Sequence, residues 1–557
     1  MTLCIVAGRA EAPVLVLSEG LSFWGGVDPA SGRIIDTHHP QHGESLAGRV
    51  VMMPTSRGSC TGSGVLLELA LNGHAPAALV FRDSEDILTL GALIASRMFG
   101  QSLPVLRLDA VGYDAVSRQG RVGIEETQLR AGDLRLRLDP VAPDGLEMEE
   151  TDRAMLQGSE GPAMQFAMET VCTMALVQGA RSLVGVSRAH IDGCIYASPA
   201  NLRFAEAMLE QGAKVRLPTT MNAISVDRGN WQSQGVAPDF GGPAARLADA
   251  YVAMGAQPSF TCAPYQLDDR PARGEFIAWA ESNAVIYANS VIGARSVKHP
   301  DFLDLCIAMT GRAPLSSVYL DAERVARRVI AVDLPPDHDE ALWPMLGYLA
   351  GKLSPDRIPL LTGLEHARPN EDDLKALCAA FGTSSAAPML HVAGHTPEAS
   401  HVAPEADRLQ VGAKELAQVW HQFNAAEETV DLVAFGSPHF SAAECRRVAK
   451  LLDGRRCLET TATVVTVGPG TFEAIKECGT LSTLETAGVR VVPDICWCSI
   501  VEPVFPPTAR VLMTNSGKYA HYAPGLSGRG VRFGSLSDCV ETALNGRAPA
   551  GPPAWLD

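Results

Sequence analysis

The sequence predicts an α/β fold in which a smaller first unit precedes a larger multi-subdomain one. Three observations carry that expectation. Short β-type runs alternate with stretches of helical apolar spacing. In the last third, apolar strands end again and again in small, polar loops. The chain has 557 residues, and roughly 150 per domain predicts about three or four domains or subdomains.

Taken in order, "APVLVLSEGLSFWGG" and "GRIIDTHH" carry β-type residues and turn glycines. A strand, "RVVMMPTS", then runs into the glycine loop "RGSCTGSG", the helix "VLLELALNG" and the strand "AALVF". The acidic, proline-containing segment near 138–152 reads as a linker, so the units divide at 1–140 and 141–557. Beyond it, "GPAMQFAMETVCTMALVQGA", "NLRFAEAMLEQGA" and "PAARLADAYVAMGA" read as helices. In the last third "TVDLVAF" leads to "GSPHFS", "ATVVTV" to "GPGT", "VRVV" to "PDICWC", and "ARVLM" to "TNSGKYAHY". Ligands of open parallel sheets sit at strand carboxyl ends. Ser437, His439, Asp494, Cys496, Cys498, Asn515, Ser516 and Lys518 are therefore expected to converge on one crevice.

Composition removes several classes of function. A net charge of −17 argues against a nucleic-acid surface. The amino terminus lacks a basic leader, and no run of 18 apolar residues would span a membrane. Thirteen cysteines without a framework spacing suggest a reducing cytoplasm, with most thiols acting as buried hydrophobes.

Four motifs could carry chemistry. The glycine loop at Arg57–Gly64 opens a helix, where free N–H groups and the dipole favour anions and could stabilise a serine alkoxide. The same residues also suit an ordinary N-cap through Thr61 or Ser63. His38, His39 and His42 lie close in sequence, but Pro40 breaks any helical face, and loop histidines are expected. Cys262, Cys306, Cys496 and Cys498 are metal candidates that as readily fill a core. Glu281, Ser282, Asn283, Asn289, Ser290 and Arg295 interrupt an apolar stretch and need partners.

Together these stretches resemble the aconitase X family over nearly the whole chain. "LSFWGGVDPASGRIID", "HHPQHGESLAGR" and "RGSCTGSGVLLEL" resemble its small swivelling domain. "SRAHIDG", "VRLPTTMNAISVD", "TCAPYQ", "WAESNAVIYANSVIGAR", "GSPHFSAAE" and "TNSGKYAHYAPG" resemble its large domain. The fused order resembles the bacterial type, which implies an iron-dependent dehydratase acting on cis-3-hydroxy-L-proline in hydroxyproline catabolism. Archaeal members, with the two parts as separate chains, dehydrate mevalonate 5-phosphate, which is the alternative. A non-catalytic iron or redox sensor on the same scaffold is a third reading, and a metal-free lyase or racemase a fourth.

The resemblance implies Ser59 as the base, with Ser63 behind it. It implies an iron–sulfur cluster, 2Fe–2S favoured, or a mononuclear iron, on Cys262 and Cys496. The archaeal pattern has a cysteine where this chain has Ser437, so the third ligand is assigned to Cys306, with Cys498 behind it. Thr219, Thr220, Asn222, Ser282, Asn283, Arg295, Asn515 and Lys518 are expected to bind a small hydroxy acid.

Overall fold

The computed structural model describes residues 2–141 and 145–556. Residues 142–144 of the expected linker lie outside the described residues. The first unit is built on nine strands. Its centre is parallel: Arg9–Val16, Val50–Met53, Ala78–Phe81 and Val105–Arg107 lie side by side. Val50–Met53 and Ala78–Phe81 are buried along their whole length, as apolar strands covered on both faces must be. Helices Gly62–Asn72 and Ile87–Phe99 make the crossovers and pack on each other. An antiparallel meander, Arg121–Glu125, Gln128–Ala131 and Leu134–Arg137, extends one edge.

Among the described residues the larger unit contains a two-stranded pair, Leu183–Gly185 with Arg312–Pro314, and three larger sheets. Thr219–Met221, Ala189–Ile191 and Ala278–Trp279 form a short parallel sheet. His391–Val392, Pro359–Thr362, Ala326–Val332 and Val402–Val411 form a second parallel sheet. The third has five parallel strands in the order Val489–Pro493, Ala462–Val467, Leu432–Phe440, Val511–Thr514, Gly530–Phe533. All four apolar runs expected as strands in the last third are strands of this sheet. One continuous core joins the small unit to the larger one, while a separate apolar cluster fills the outer face of the third sheet.

Two local expectations change. "GRIIDTHH" makes only isolated bridges, Val27 to Ile34 and Arg33 to Ser45. Left-handed turns at Gly32 and Gly43 interrupt it before a ladder can form. "TNSGKYAHY" is not loop throughout: Ser516 caps the helix Gly517–Ser527 by accepting from the Tyr519 N–H at 3.0 Å. Lys518 is thereby fixed in a first helical turn rather than on a loose loop.

Candidate active site

In the five-stranded sheet the chain moves outward from Leu432–Phe440 on one side and returns on the other with Val511–Thr514. The reversal lies between these two strands, the position where open parallel sheets hold ligands. Gly436 bends the first of them, with φ +99° and Thr466 O only 2.2 Å from where a Cβ would stand. The Ser516 hydroxyl donates to the Ser437 carbonyl and closes this corner.

Three thiols gather here. Cys262, Cys496 and Cys498 pack into one small cluster with Ala223 and Tyr522. The His439 backbone N–H points at Cys262 Sγ at 3.2 Å, and the Cys498 N–H at Cys496 Sγ at 3.4 Å. A hydrogen bond from Cys498 and the nearby Lys518 charge bring the Cys496 thiol down to about 7 against burial. Burial pushes Cys262 up, and the hydrogen bond to Cys496 does the same to Cys498. The Ser437 hydroxyl is buried beside this corner without a hydrogen-bond partner. Among the described residues no group of three His, Cys, Asp or Glu side chains stands at metal-ligand spacing, and of the three thiols Cys496 and Cys498 share a hydrogen bond. The donor chemistry nonetheless fits iron: three soft sulfurs, one of them readily ionised, next to an unsatisfied hydroxyl.

Cys306 does not join them. It sits in the helix Leu303–Thr310, fully buried in the main apolar core, with the Thr170 hydroxyl beside its thiol. The structure brings Cys498 to Cys262 and Cys496 in its place, which corrects the order of the expected ligands. The CxC spacing made Cys498 readable; helical packing of Cys306 was not.

The serine loop faces the thiols from the small unit. Gly58 holds φ +86°, and a Cβ there would stand 2.4 Å from Ser22 Oγ and 3.5 Å from the Tyr522 hydroxyl. Only glycine lets the loop come this close. Tyr522 in turn packs on the three cysteines and on Trp24. Ser59 is half-buried; its hydroxyl donates to Thr61 Oγ1 at 3.2 Å and accepts from the Thr61 N–H at 3.3 Å. The helix behind it has no side-chain cap, so its first N–H groups and its dipole remain directed at the loop. Ser63 is different. It is fully buried, and its hydroxyl lies 3.1 Å from Cys60 O and 3.2 Å from Asp301 O, tying the small unit to the large one.

The remaining expected residues divide. Lys518 pairs with Glu281 at 2.7 Å. Burial alone would push Glu281 up, but the Lys518 charge and several hydrogen bonds hold it below the usual range. Asn283 donates to Cys262 O at 2.9 Å and accepts from the Tyr265 hydroxyl at 2.7 Å, so it positions the loop that carries this thiol. Asn222 bonds to Asp192 and to the Ala223 N–H. Thr219 bonds to Leu217 O just before its strand, and Thr220 to His190 of the neighbouring strand. Ser282 opens the helix Ser282–Tyr287 against Gly382. Asn515 Oδ1 has no partner and lines a separate cavity of about 880 Å³ between the larger unit's layers. Arg295 turns away: it pairs with Asp321 and donates to Tyr319 O at 2.8 Å. Burial lowers His439 to about 4, and its Nε2 reaches Ile495 O at 2.8 Å.

Two features have no motif in the sequence. Asp192, Asp301 and Asp304 lie buried together where the serine helix meets the large unit. Burial pushes Asp192 up to about 7 and Asp304 to about 6, and drives Asp301 well above the carboxylate range. Asp301 N–H donates to Cys60 O at 3.4 Å, so this acid group braces the serine loop. The second is Lys298, whose ammonium lies 3.5 Å from both Gly58 O and Ser385 O. The loop histidines also meet the large unit: His38 stacks on His521, ring centroids 5.9 Å apart.

Four family models cover the chain in succession: Aconitase X swivel domain (residues 2–130), first domain (145–322), second domain (326–421) and third domain (430–545). A cis-3-hydroxy-L-proline dehydratase of Pseudomonas aeruginosa is 50% identical over 573 residues, covering 99% of this chain and 97% of its own. A phosphomevalonate dehydratase large subunit of Methanothermobacter thermautotrophicus is 32% identical, covering 68% of this chain and 94% of its own. The crystal structure of Thermococcus kodakaraensis aconitase X in its holo-form superimposes with a TM-score of 0.66 at 27% identity, covering 72% of this chain and all of that one.

Proposed function

The chain belongs to the aconitase X family, and on that premise we propose that it is a dehydratase converting cis-3-hydroxy-L-proline to Δ1-pyrroline-2-carboxylate. One observation carries the reading at the level of chemistry. The loop that carries Ser59 comes close to the Tyr522 hydroxyl at Gly58, and Tyr522 packs on a three-thiol cluster of the large unit. That is the pairing a β-elimination of water from a hydroxy acid requires: a base for the α-proton and an acceptor for the leaving hydroxyl.

Ser59 takes the α-proton. Its hydroxyl is held in the turn that opens the helix, where dipole and N–H groups favour its alkoxide over the free alcohol. Loss of the 3-hydroxyl as water leaves an enamine, which tautomerises to the cyclic imine. Cys262, Cys496 and Cys498 would hold iron, a two-iron iron–sulfur cluster favoured over a single iron; when bound it supplies the Lewis acid for the departing hydroxyl. Asn283 and His439 fix the Cys262 loop through its carbonyl and thiol. Asp301, Thr61 and Ser63 seat the serine loop against the large unit. Thirteen free cysteines suit a reducing cytoplasmic setting. No helix among the described residues is long and apolar enough to cross a membrane.

A phosphomonoester substrate finds less support. Among the described residues, Arg57 and Lys518 are already paired with carboxylates, and Arg295 is paired with Asp321, which leaves few free charges for a phosphate. The test is a coupled assay on anaerobically purified protein, in which an added imine reductase reports Δ1-pyrroline-2-carboxylate. Turnover that chelation abolishes and iron restores is expected. An iron-loaded protein inert toward cis-3-hydroxy-L-proline but active on mevalonate 5-phosphate would overturn the assignment.

A further inference from the structure

We propose that Lys298 receives the substrate's carboxylate at the edge of the serine loop, which makes it a substrate-binding residue that also seats the loop. This rests on the hydroxy-acid reading above. A small amino acid such as hydroxyproline brings one carboxylate into a partly dry site, and such a group needs a cation or several N–H donors. Four cations stand near the serine loop and the thiols or on the segment expected to bind substrate. Arg57 pairs with Glu19 at 2.9 Å and with Asp36 at 3.4 Å. Lys518 pairs with Glu281, and Arg295 with Asp321. Lys298 alone of the four has no carboxylate partner among the described residues; its two contacts are backbone carbonyls at the long limit of a hydrogen bond.

The surroundings keep it available. Lys298 is half-buried and lines a cavity of about 560 Å³ with Gly58, Ser316, Ser317, Ala386 and Pro388. The acids on that wall are engaged elsewhere. Glu85 accepts from Ser56 Oγ at 2.6 Å and from the N–H groups of Leu88 and Thr89. Asp86 accepts from Gln178 at 2.9 Å, and Glu323 pairs with Arg327. A half-buried ammonium without a counter-charge is costly, and a ligand carboxylate removes that cost. Its position also links binding to chemistry. Gly58 O belongs to the residue before Ser59, and Ser385 O to the second large-unit layer, so one ammonium touches both walls of the cleft. A carboxylate on Lys298 therefore places the α-carbon beside the loop that carries the base.

The experiment compares wild type, Lys298→Met and Lys298→Arg, all iron-loaded, on cis-3-hydroxy-L-proline. Wild-type turnover is established first, because its failure would strike the functional reading and not this residue. Lys298→Met is expected to raise KM about 10- to 100-fold, as loss of one charge-assisted contact does, with kcat falling less. Lys298→Arg should recover most of that loss. A purely structural clamp would not distinguish charge, so inhibition by pyrrole-2-carboxylate and by its neutral carboxamide is compared. Weakening of the acid alone supports the proposal. An unchanged KM, or equal weakening of acid and amide, overturns it. Should Lys298→Met not fold, Lys298→Gln is read in its place by the same criteria.

Discussion

The two loops that face each other across Tyr522 are both built at strand carboxyl ends, yet by opposite means. The thiol corner is closed. Its sulfurs touch one another, its charged pair Lys518–Glu281 is internally matched, and Asn283, His439 and Ser516 brace it from three sides. The serine loop is open. Among the described residues Ser59 bonds within its own turn, its helix has no side-chain cap, and its neighbour Lys298 has no acid partner. The difference separates two tasks. A metal centre needs donors fixed before the metal arrives, while a base and a carboxylate receiver must keep unspent bonding capacity for the substrate.

Substitutions can break that contrast, beginning with the largest effect. Alanine at Cys262, Cys496 or Cys498 is expected to strip bound iron and abolish turnover, whereas Cys306→Ala keeps the iron; metal analysis of the four purified variants decides. Gly58→Ala forces a Cβ into Ser22 at a left-handed φ. The displaced loop should cost roughly 10²-fold in kcat, as misplacement near 1 Å does, with iron content unchanged. Ser63→Ala removes the hydroxyl that ties Cys60 to Asp301, and about 1 kcal/mol of stability should go with it while kcat stays within a few-fold. Denaturation midpoints beside steady-state rates check this.

The smallest effect concerns the seam between the units. Asp86 accepts from Gln178 across it, and burial first, then the Glu85 charge, raises its carboxyl to about 7; Arg107 opposes weakly. Unfolded, it ionises near about 3.9. The native chain therefore holds the extra proton between those values, and stability falls as pH rises from about 4 to 7. Asp86→Asn, whose amide oxygen can still accept from Gln178, should raise the thermal midpoint at pH 8 and leave it almost unchanged at pH 4. A gain equal at both pH values would contradict the shift.

What was legible in the sequence follows the reach of local physics. Alternating strands and helices, the four last-third strands and the glycine loop that opens a helix were readable because each is a short-range pattern. The CxC pair was readable too. Arg295 was misleading: nothing in "VIGAR" tells that Asp321, 26 residues on, claims its guanidinium. Lys298 and the Asp192–Asp301–Asp304 group were silent, because their meaning comes from separate segments folding onto the serine loop. Cys306 looked like a ligand until its helix was seen to bury it against Thr170.

The central claim is that the small unit's Ser59 removes the α-proton over an iron centre held by the large unit. The most direct measurement compares wild type and Ser59→Ala, matched for iron content, in single-turnover and steady-state assays on cis-3-hydroxy-L-proline and its α-deuterated form. The account predicts a loss of about 10²- to 10⁴-fold in kcat with substrate binding and iron retained, and a primary isotope effect in the wild type. Turnover by Ser59→Ala within a few-fold of wild type would contradict it, and would place the base elsewhere.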